Sequence, residues 1–295
     1  MKLGVIGLGA MGAGMARNLH AAQLLGAVWN RTEVRAKALA AELGVLAVGD
    51  PAALAARSDV VLTCVSRDAD LLEVVSAARP GFARGAVLVD CSTVSVHTAR
   101  QVAAMLAEDG VAMLDAPVSG GREGAEQGTL VFMVGGDAAV FERIQPAFAA
   151  MGRAASLMGG VGAGQATKAV NQIMAAGINQ AVTEALAFAQ ASGLDLERVI
   201  DLLSGGAAGS WFLQHRGKRM VAGQYQPAGF KVSLHQKDLE ICKALAAELG
   251  VALPIVEMTL KHYQRLIDAG HGDDDISSLY RSKQALFRDG NLRSL

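Results

Sequence analysis

Lys168 and Asn171 lie three residues apart in the stretch 159–172, Gly-Gly-Val-Gly-Ala-Gly-Gln-Ala-Thr-Lys-Ala-Val-Asn-Gln. Residues at that spacing share one face of a helix. A proline-free helix is expected over 164–192, with both side chains in its first turns. A lysine is a compact cation with three donors, protonated at neutral pH. Beside a carbonyl under reduction it stabilises the alkoxide and supplies the proton. The chain before this stretch reads as α/β and the chain after it as helical. The lysine is therefore expected to face the cleft between two halves, where ligand sites concentrate. From spacing alone, a solvated surface lysine fits equally well.

Other residues suit the substrate and the reductant. Segment 115–121, Asp-Ala-Pro-Val-Ser-Gly-Gly, ends an expected strand in a bend. Ser119 brings a hydroxyl, and Gly120 and Gly121 leave backbone N–H groups uncovered. Such a nest suits a small anion or a carboxylate, and a plain turn is the alternative. Arg122 follows and either adds a cation or points to solvent. Near the N-terminus, an apolar run over 2–6 precedes Gly7-Leu8-Gly9-Ala10-Met11-Gly12 and then a helix. Strand, G-x-G-x-x-G and helix in that order form the dinucleotide fingerprint. Gly7 permits the turn, Gly9 admits the pyrophosphate, and Gly12 lets helix pack on strand. The next strand, over 26–30, ends in Asn30-Arg31-Thr32, where the fingerprint expects an acid for the ribose. Without that carboxylate, and with a planar cation and a hydroxyl, the end of this strand suits NADP(H), with NAD(H) also possible. An ordinary loop arginine is the alternative for Arg31. Val65 and Thr93 lie at the carboxyl edge of the expected sheet, where ligands bind.

The elements that must hold these residues alternate. Strands are expected over 45–48, 59–65, 86–90 and 111–115, with closing strands over 130–134 and 154–158. Asp50 before Pro51 and Ser95 read as helix caps. After the long helix come helical segments over 194–204, 211–221, 230–249 and 254–269. Lys237-Asp238 is by default a solvated charged pair. The acidic run 273–275 fits a helix cap better than a metal site.

Composition narrows the classes. The chain has 295 residues, enough for two domains, with 27 basic and 28 acidic residues and a formal charge of -1. It lacks the electrostatic footprint and aromatic platform of a nucleic-acid binder. Cys64, Cys91 and Cys242 lack metal spacing and read as reduced, buried residues of a cytoplasmic protein. No apolar run reaches membrane-spanning length. Glycines at 4, 7, 9, 12 and 14 suit a strand-to-helix turn better than a signal peptide.

Four motifs in order, at 7–12 with Met11 and Met15, at 115–121, at 159–171 and at Lys237-Asp238, make the chain resemble the β-hydroxyacid dehydrogenase family along its whole length. The resemblance implies that Lys168 is the catalytic lysine and that Ser119, Gly120 and Gly121 anchor the substrate. It also implies that Thr93 and Lys237 touch the cofactor near its nicotinamide, with Asp238 orienting Lys237. Many members carry two asparagines after the lysine. Gln172 replaces the second here, which leaves the polar substrate contact on Asn171. The implied reaction reduces a small carboxylate-bearing aldehyde of the tartronate semialdehyde type. Glyoxylate, succinic semialdehyde and 3-hydroxyisobutyrate chemistries are alternatives, because Asn30-Arg31-Thr32 resembles the glyoxylate/succinic semialdehyde branch. A non-catalytic scaffold would not need Lys168, and the imine reductase pattern does not keep the lysine segment. The expected architecture is a Rossmann-type doubly wound α/β domain over 1–163, a connecting helix over 164–192 and an all-α domain over 193–295. The long apolar helix predicts a homodimer or homotetramer.

Overall fold

The computed structural model describes residues 1–289, with side chains to residue 286. The chain divides into two compact units, Met1–Lys168 and the part from Ala169 on, and the break falls inside one continuous helix.

The first unit is built on β1 (Leu3–Ile6), β2 (Leu25–Trp29), β3 (Leu46–Ala47), β4 (Val60–Thr63), β5 (Val87–Asp90), β6 (Ala112–Asp115), β7 (Val118–Ser119), β8 (Leu130–Gly135) and β9 (Gly152–Gly159). Its helices are α1 (Gly12–Ala21), α2 (Glu33–Leu43), α3 (Pro51–Ala55), α4 (Asp68–Ala78), α5 (Val96–Ala107), α6 (Gly121–Gln127) and α7 (Ala138–Met151). The sheet runs β3-β2-β1-β4-β5-β6-β8-β7, and β9 pairs with β8. The first six strands are parallel, in the order of a doubly wound nucleotide-binding sheet. β8 is antiparallel to β6 and β7, and β9 is parallel to β8.

Parallel strands covered on both faces read as unbroken apolar runs, and β1, β4 and β5 are buried along their full lengths. Successive side chains go to opposite faces. Val5, Val60, Leu62, Val87 and Val89 join Met15 and Leu19 of α1 in one core. Ile6, Val61 and Leu88 join Leu71 and Val75 of α4 and Val102 of α5 in the other. The Asp50 and Ser95 carboxylate and hydroxyl accept from the backbone N–H groups of Ala53 and Thr98, as caps should.

The connecting helix, α8 (Ala163–Ala191), carries Lys168 and Asn171. The second unit continues with α9 (Leu196–Ser204), α10 (Trp211–Val221), α11 (Val232–Glu248), α12 (Pro254–Asp268) and α13 (Leu279–Asp289). Leu186, Ile200, Leu213, Met220, Leu239, Val256, Tyr263 and Tyr280 share its core. In the acidic run, Asp275 caps a single 3-10 turn, Ile276–Ser278, ahead of α13, and Asp273 pairs with Lys231. Among the described residues, no helix is long and apolar enough to cross a membrane. Cys91 and Cys242 are buried and form no disulfide, whereas Cys64 is only half-buried.

Candidate active site

The three fingerprint glycines do different work. At Gly7 φ is +93°, and a side chain there would strike the Cys64 carbonyl. A Cβ at Gly12 would strike the Gly7 carbonyl. At Gly9 nothing lies within 4 Å of where a Cβ would sit. Two positions are closed by backbone and the middle one is open, as a ligand approaching the loop requires. No acidic side chain occupies the first turn of α1, so the positive end of that helix is not neutralised. This cradle fits the pyrophosphate of a dinucleotide.

Asn30 is more than a missing carboxylate. Its Oδ1 accepts the Leu8 N–H at 2.9 Å and its Nδ2 donates to the Thr32 carbonyl at 3.1 Å, tying the glycine loop to the end of β2. Arg31 Nη1 lies 2.9 Å from Asp70 Oδ1, and the Arg31 side chain is 75% exposed. The expectation of a strand end without a carboxylate is thus corrected, because α4 brings one there from 39 positions along the chain. Thr32 precedes α2 and its hydroxyl makes no cap bond.

A polar knot at the ends of β4 and β5 holds Val65 and adjoins Thr93. Asp90 Oδ1 accepts from Thr63 Oγ1 at 2.7 Å and Ser92 Oγ at 2.6 Å, and Ser92 Oγ accepts the Val65 N–H at 2.9 Å. Asp90 is fully buried, and its Oδ2 has no hydrogen-bond partner among the described residues. Burial pushes its carboxyl up to about 6. A carboxyl raised in this way favours the folded state when protonated, and that advantage is lost as pH rises through about 6. Asp90→Asn should therefore gain thermal stability on the parent, by on the order of a few degrees, between pH 5 and pH 8. Melting curves at both pH values check this. A difference that stays flat would place the Asp90 titration elsewhere.

Lys168 is buried, and its Nζ donates to the Val118 carbonyl at 2.8 Å. The solvated-lysine alternative is excluded. Val118 and Ser119 form β7, which pairs antiparallel with β8, so the ammonium sits one residue from the expected anchor. Gly120 and Gly121 follow with φ +129° and +60° and open α6. The expected bend is thus a two-residue strand running into a seven-residue helix, both too short to show a period. Arg122 pairs with Glu126 along α6 at 2.6 Å and is half exposed, which is the solvent-facing alternative.

The turn that carries Lys168 is fastened from below. Asp115 Oδ1 accepts the Gly162 N–H at 2.7 Å and Oδ2 the Gln165 N–H at 2.9 Å. These are the otherwise unsatisfied amides of a helix start. Burial pushes the Asp115 carboxyl up to about 6, against those hydrogen bonds, which lower it.

In the second unit, Asn171 Nδ2 donates to Gln172 Oε1 at 2.7 Å, and Gln172 Nε2 donates to Asp238 Oδ2 at 2.6 Å. Asp238 Oδ1 lies 2.8 Å from Lys237 Nζ. Gln172 and Asp238 are buried, so the expected solvated charged pair is corrected. Its carboxylate is internal because both oxygens have partners. Gln172 orients Asn171 and Asp238. Sequence reasoning missed Asp90 and Gln165 as site residues, and it named Asp115 and Ser92 only as parts of strand-end motifs, without the bonds they make. Gln165 left a further signal, as a polar residue one helical turn before Lys168.

Two family models match the chain in succession: the NAD binding domain of 6-phosphogluconate dehydrogenase over residues 2–162, and the NAD-binding domain of NADP-dependent 3-hydroxyisobutyrate dehydrogenase over residues 162–282. The chain is 41% identical over 257 residues to 2-hydroxy-3-oxopropionate reductase of Escherichia coli, covering 86% of this chain and 87% of that one. It is 33% identical over 290 residues to an NAD-dependent L-serine dehydrogenase of Pseudomonas aeruginosa, covering 94% and 95%. The solved 3-hydroxyisobutyrate dehydrogenase of Mycobacterium tuberculosis with L-serine superposes with a TM-score of 0.86 at 29% identity, covering 95% and 98%.

Proposed function

The chain belongs to the β-hydroxyacid dehydrogenase family of NAD(P)-binding oxidoreductases, and within it we propose an NADP(H)-dependent reductase of a small carboxylate-bearing aldehyde, of the tartronate semialdehyde type. The bond from Lys168 Nζ to the Val118 carbonyl carries this reading, because it brings a buried cation of the helix start beside Ser119. The bound dinucleotide supplies the hydride. Lys168 supplies the proton and opposes the charge that develops on the carbonyl oxygen. Ser119 and the amides around Gly120 and Gly121 hold the carboxylate. The loop at 7–12 holds the pyrophosphate, with Val65 and Thr93 further along the same sheet edge. The motifs that contain them support Asn171 as a substrate contact and Lys237 as a cofactor contact. Tartronate semialdehyde comes first because a 2-hydroxy-3-oxopropionate reductase is 41% identical.

Steady-state rates with NADPH and NADH against tartronate semialdehyde, glyoxylate, succinic semialdehyde and methylmalonate semialdehyde test the proposal. The first should have the highest kcat/KM, and inactivity on all four would defeat it. Ser119→Ala should lower kcat/KM for the carboxylate substrate by about tenfold, the worth of one hydrogen bond to a charged group. An uncharged aldehyde of similar size should lose less. Equal losses on both would mean that the loop does not read the carboxylate. Val170, Met174 and Ile178 recur every four residues along α8 and are exposed, which supports a homodimer or homotetramer. A monomeric mass by light scattering would oppose it.

A further inference from the structure

We propose that Gln165 is a positioning residue for the reduction, clamping the backbone on both sides of Thr93 to the helix turn that carries Lys168. Its side-chain Nε2 donates to the Ser92 carbonyl at 2.8 Å, and its Oε1 accepts the Val94 N–H at 3.2 Å. One amide thus makes the pair of bonds that a neighbouring strand would make to residues 92 and 94. Gln165 is 3% exposed, so water does not compete for these bonds. Its own N–H is held by Asp115 at 2.9 Å. Lys168 follows three positions later, on the same face of α8. Ser92 also holds the Val65 N–H. Through one side chain, the ends of β4 and β5 are locked to the first turn of α8.

A buried glutamine needs partners wherever it lies. Here the partners flank Thr93 on both sides, and the helix that carries the glutamine carries Lys168. The inference rests on the reading of Lys168 as the acid and of Thr93 as a neighbour of the cofactor's reactive end. Those two groups must keep a fixed separation while the reacting atoms close to attack distance. A misplacement of about 1 Å at such a site costs on the order of 10²-fold in rate.

Gln165→Leu keeps the bulk and removes both clamp bonds. It should lower kcat by about tenfold or more, leave KM for NADPH within about threefold, and raise the isotope effect on kcat measured with NADPH deuterated at the transferring position. Gln165→Met removes the same two bonds with an unbranched side chain of similar length, so its loss should match. It carries the same readouts if the leucine variant does not fold. A purely structural role would lower the melting temperature without changing the isotope effect. An unchanged kcat and isotope effect in a folded variant would overturn the inference, while a Lys168-dependent parent enzyme would leave the proposed function standing. A parent enzyme inactive on all four aldehydes would overturn both.

Discussion

Lys168→Ala should lower the rate of the chemical step by a factor on the order of 10² or more, the usual worth of a positioned acid. The substitution removes both the proton donor and the charge that opposes the developing alkoxide. Cofactor affinity should hardly change, because the loop at 7–12 and the open face at Gly9 lie on a different strand end. Loss of the bond to the Val118 carbonyl at 2.8 Å complicates the reading, since β7 also carries Ser119. Lys168→Met separates the two effects. It fills the space of the stem without the charge, so packing beside β7 survives while the acid is lost. Lys168→Arg should recover little, because a planar guanidinium does not present its donors as a point charge does. Single-turnover rates at saturating NADPH isolate the step. Near-normal turnover in the alanine and methionine variants would remove Lys168 from the mechanism.

The framework was readable because its signals are local. An apolar strand, a glycine loop and a helix follow one another over 3–21, and β4 and β5 are apolar runs buried on both faces. The lysine helix was readable from the absence of proline and from its glycine start. The hidden features depend on partners far along the chain. Asn30 reads as a lost carboxylate, and its two-way amide shows only once Leu8 lies beside it. Lys237-Asp238 reads as solvated because charges are seldom fully buried. Its internal partner, Gln172, is 66 positions away. Asp90, through Thr63, and Asp115 and Gln165 likewise act on segments that only the sheet order brings near. Period and propensity carry no information about such pairs.

Cofactor choice depends on one of these long-range partners. Arg31 is bound to Asp70 at 2.9 Å, on a side chain 75% exposed. An exposed ion pair of this kind contributes about 0–1 kcal/mol. A guanidinium meeting a phosphate through two parallel N–H···O bonds gains about 1.5–3 kcal/mol for each charged hydrogen bond. The phosphate should therefore displace Asp70, and NADPH should be preferred to NADH by roughly tenfold to a hundredfold. Arg31→Ala should raise KM for NADPH by a similar factor and leave that for NADH almost unchanged. Asp70→Asn tests the competition from the other side. It keeps the shape, frees Arg31 and removes a negative charge near the phosphate, so kcat/KM for NADPH should rise a few-fold while that for NADH stays level. An Arg31 that instead stacks on the adenine would serve both cofactors alike, and Arg31→Ala would then harm both equally. That outcome, or a parent enzyme faster with NADH, would rule out the NADPH assignment.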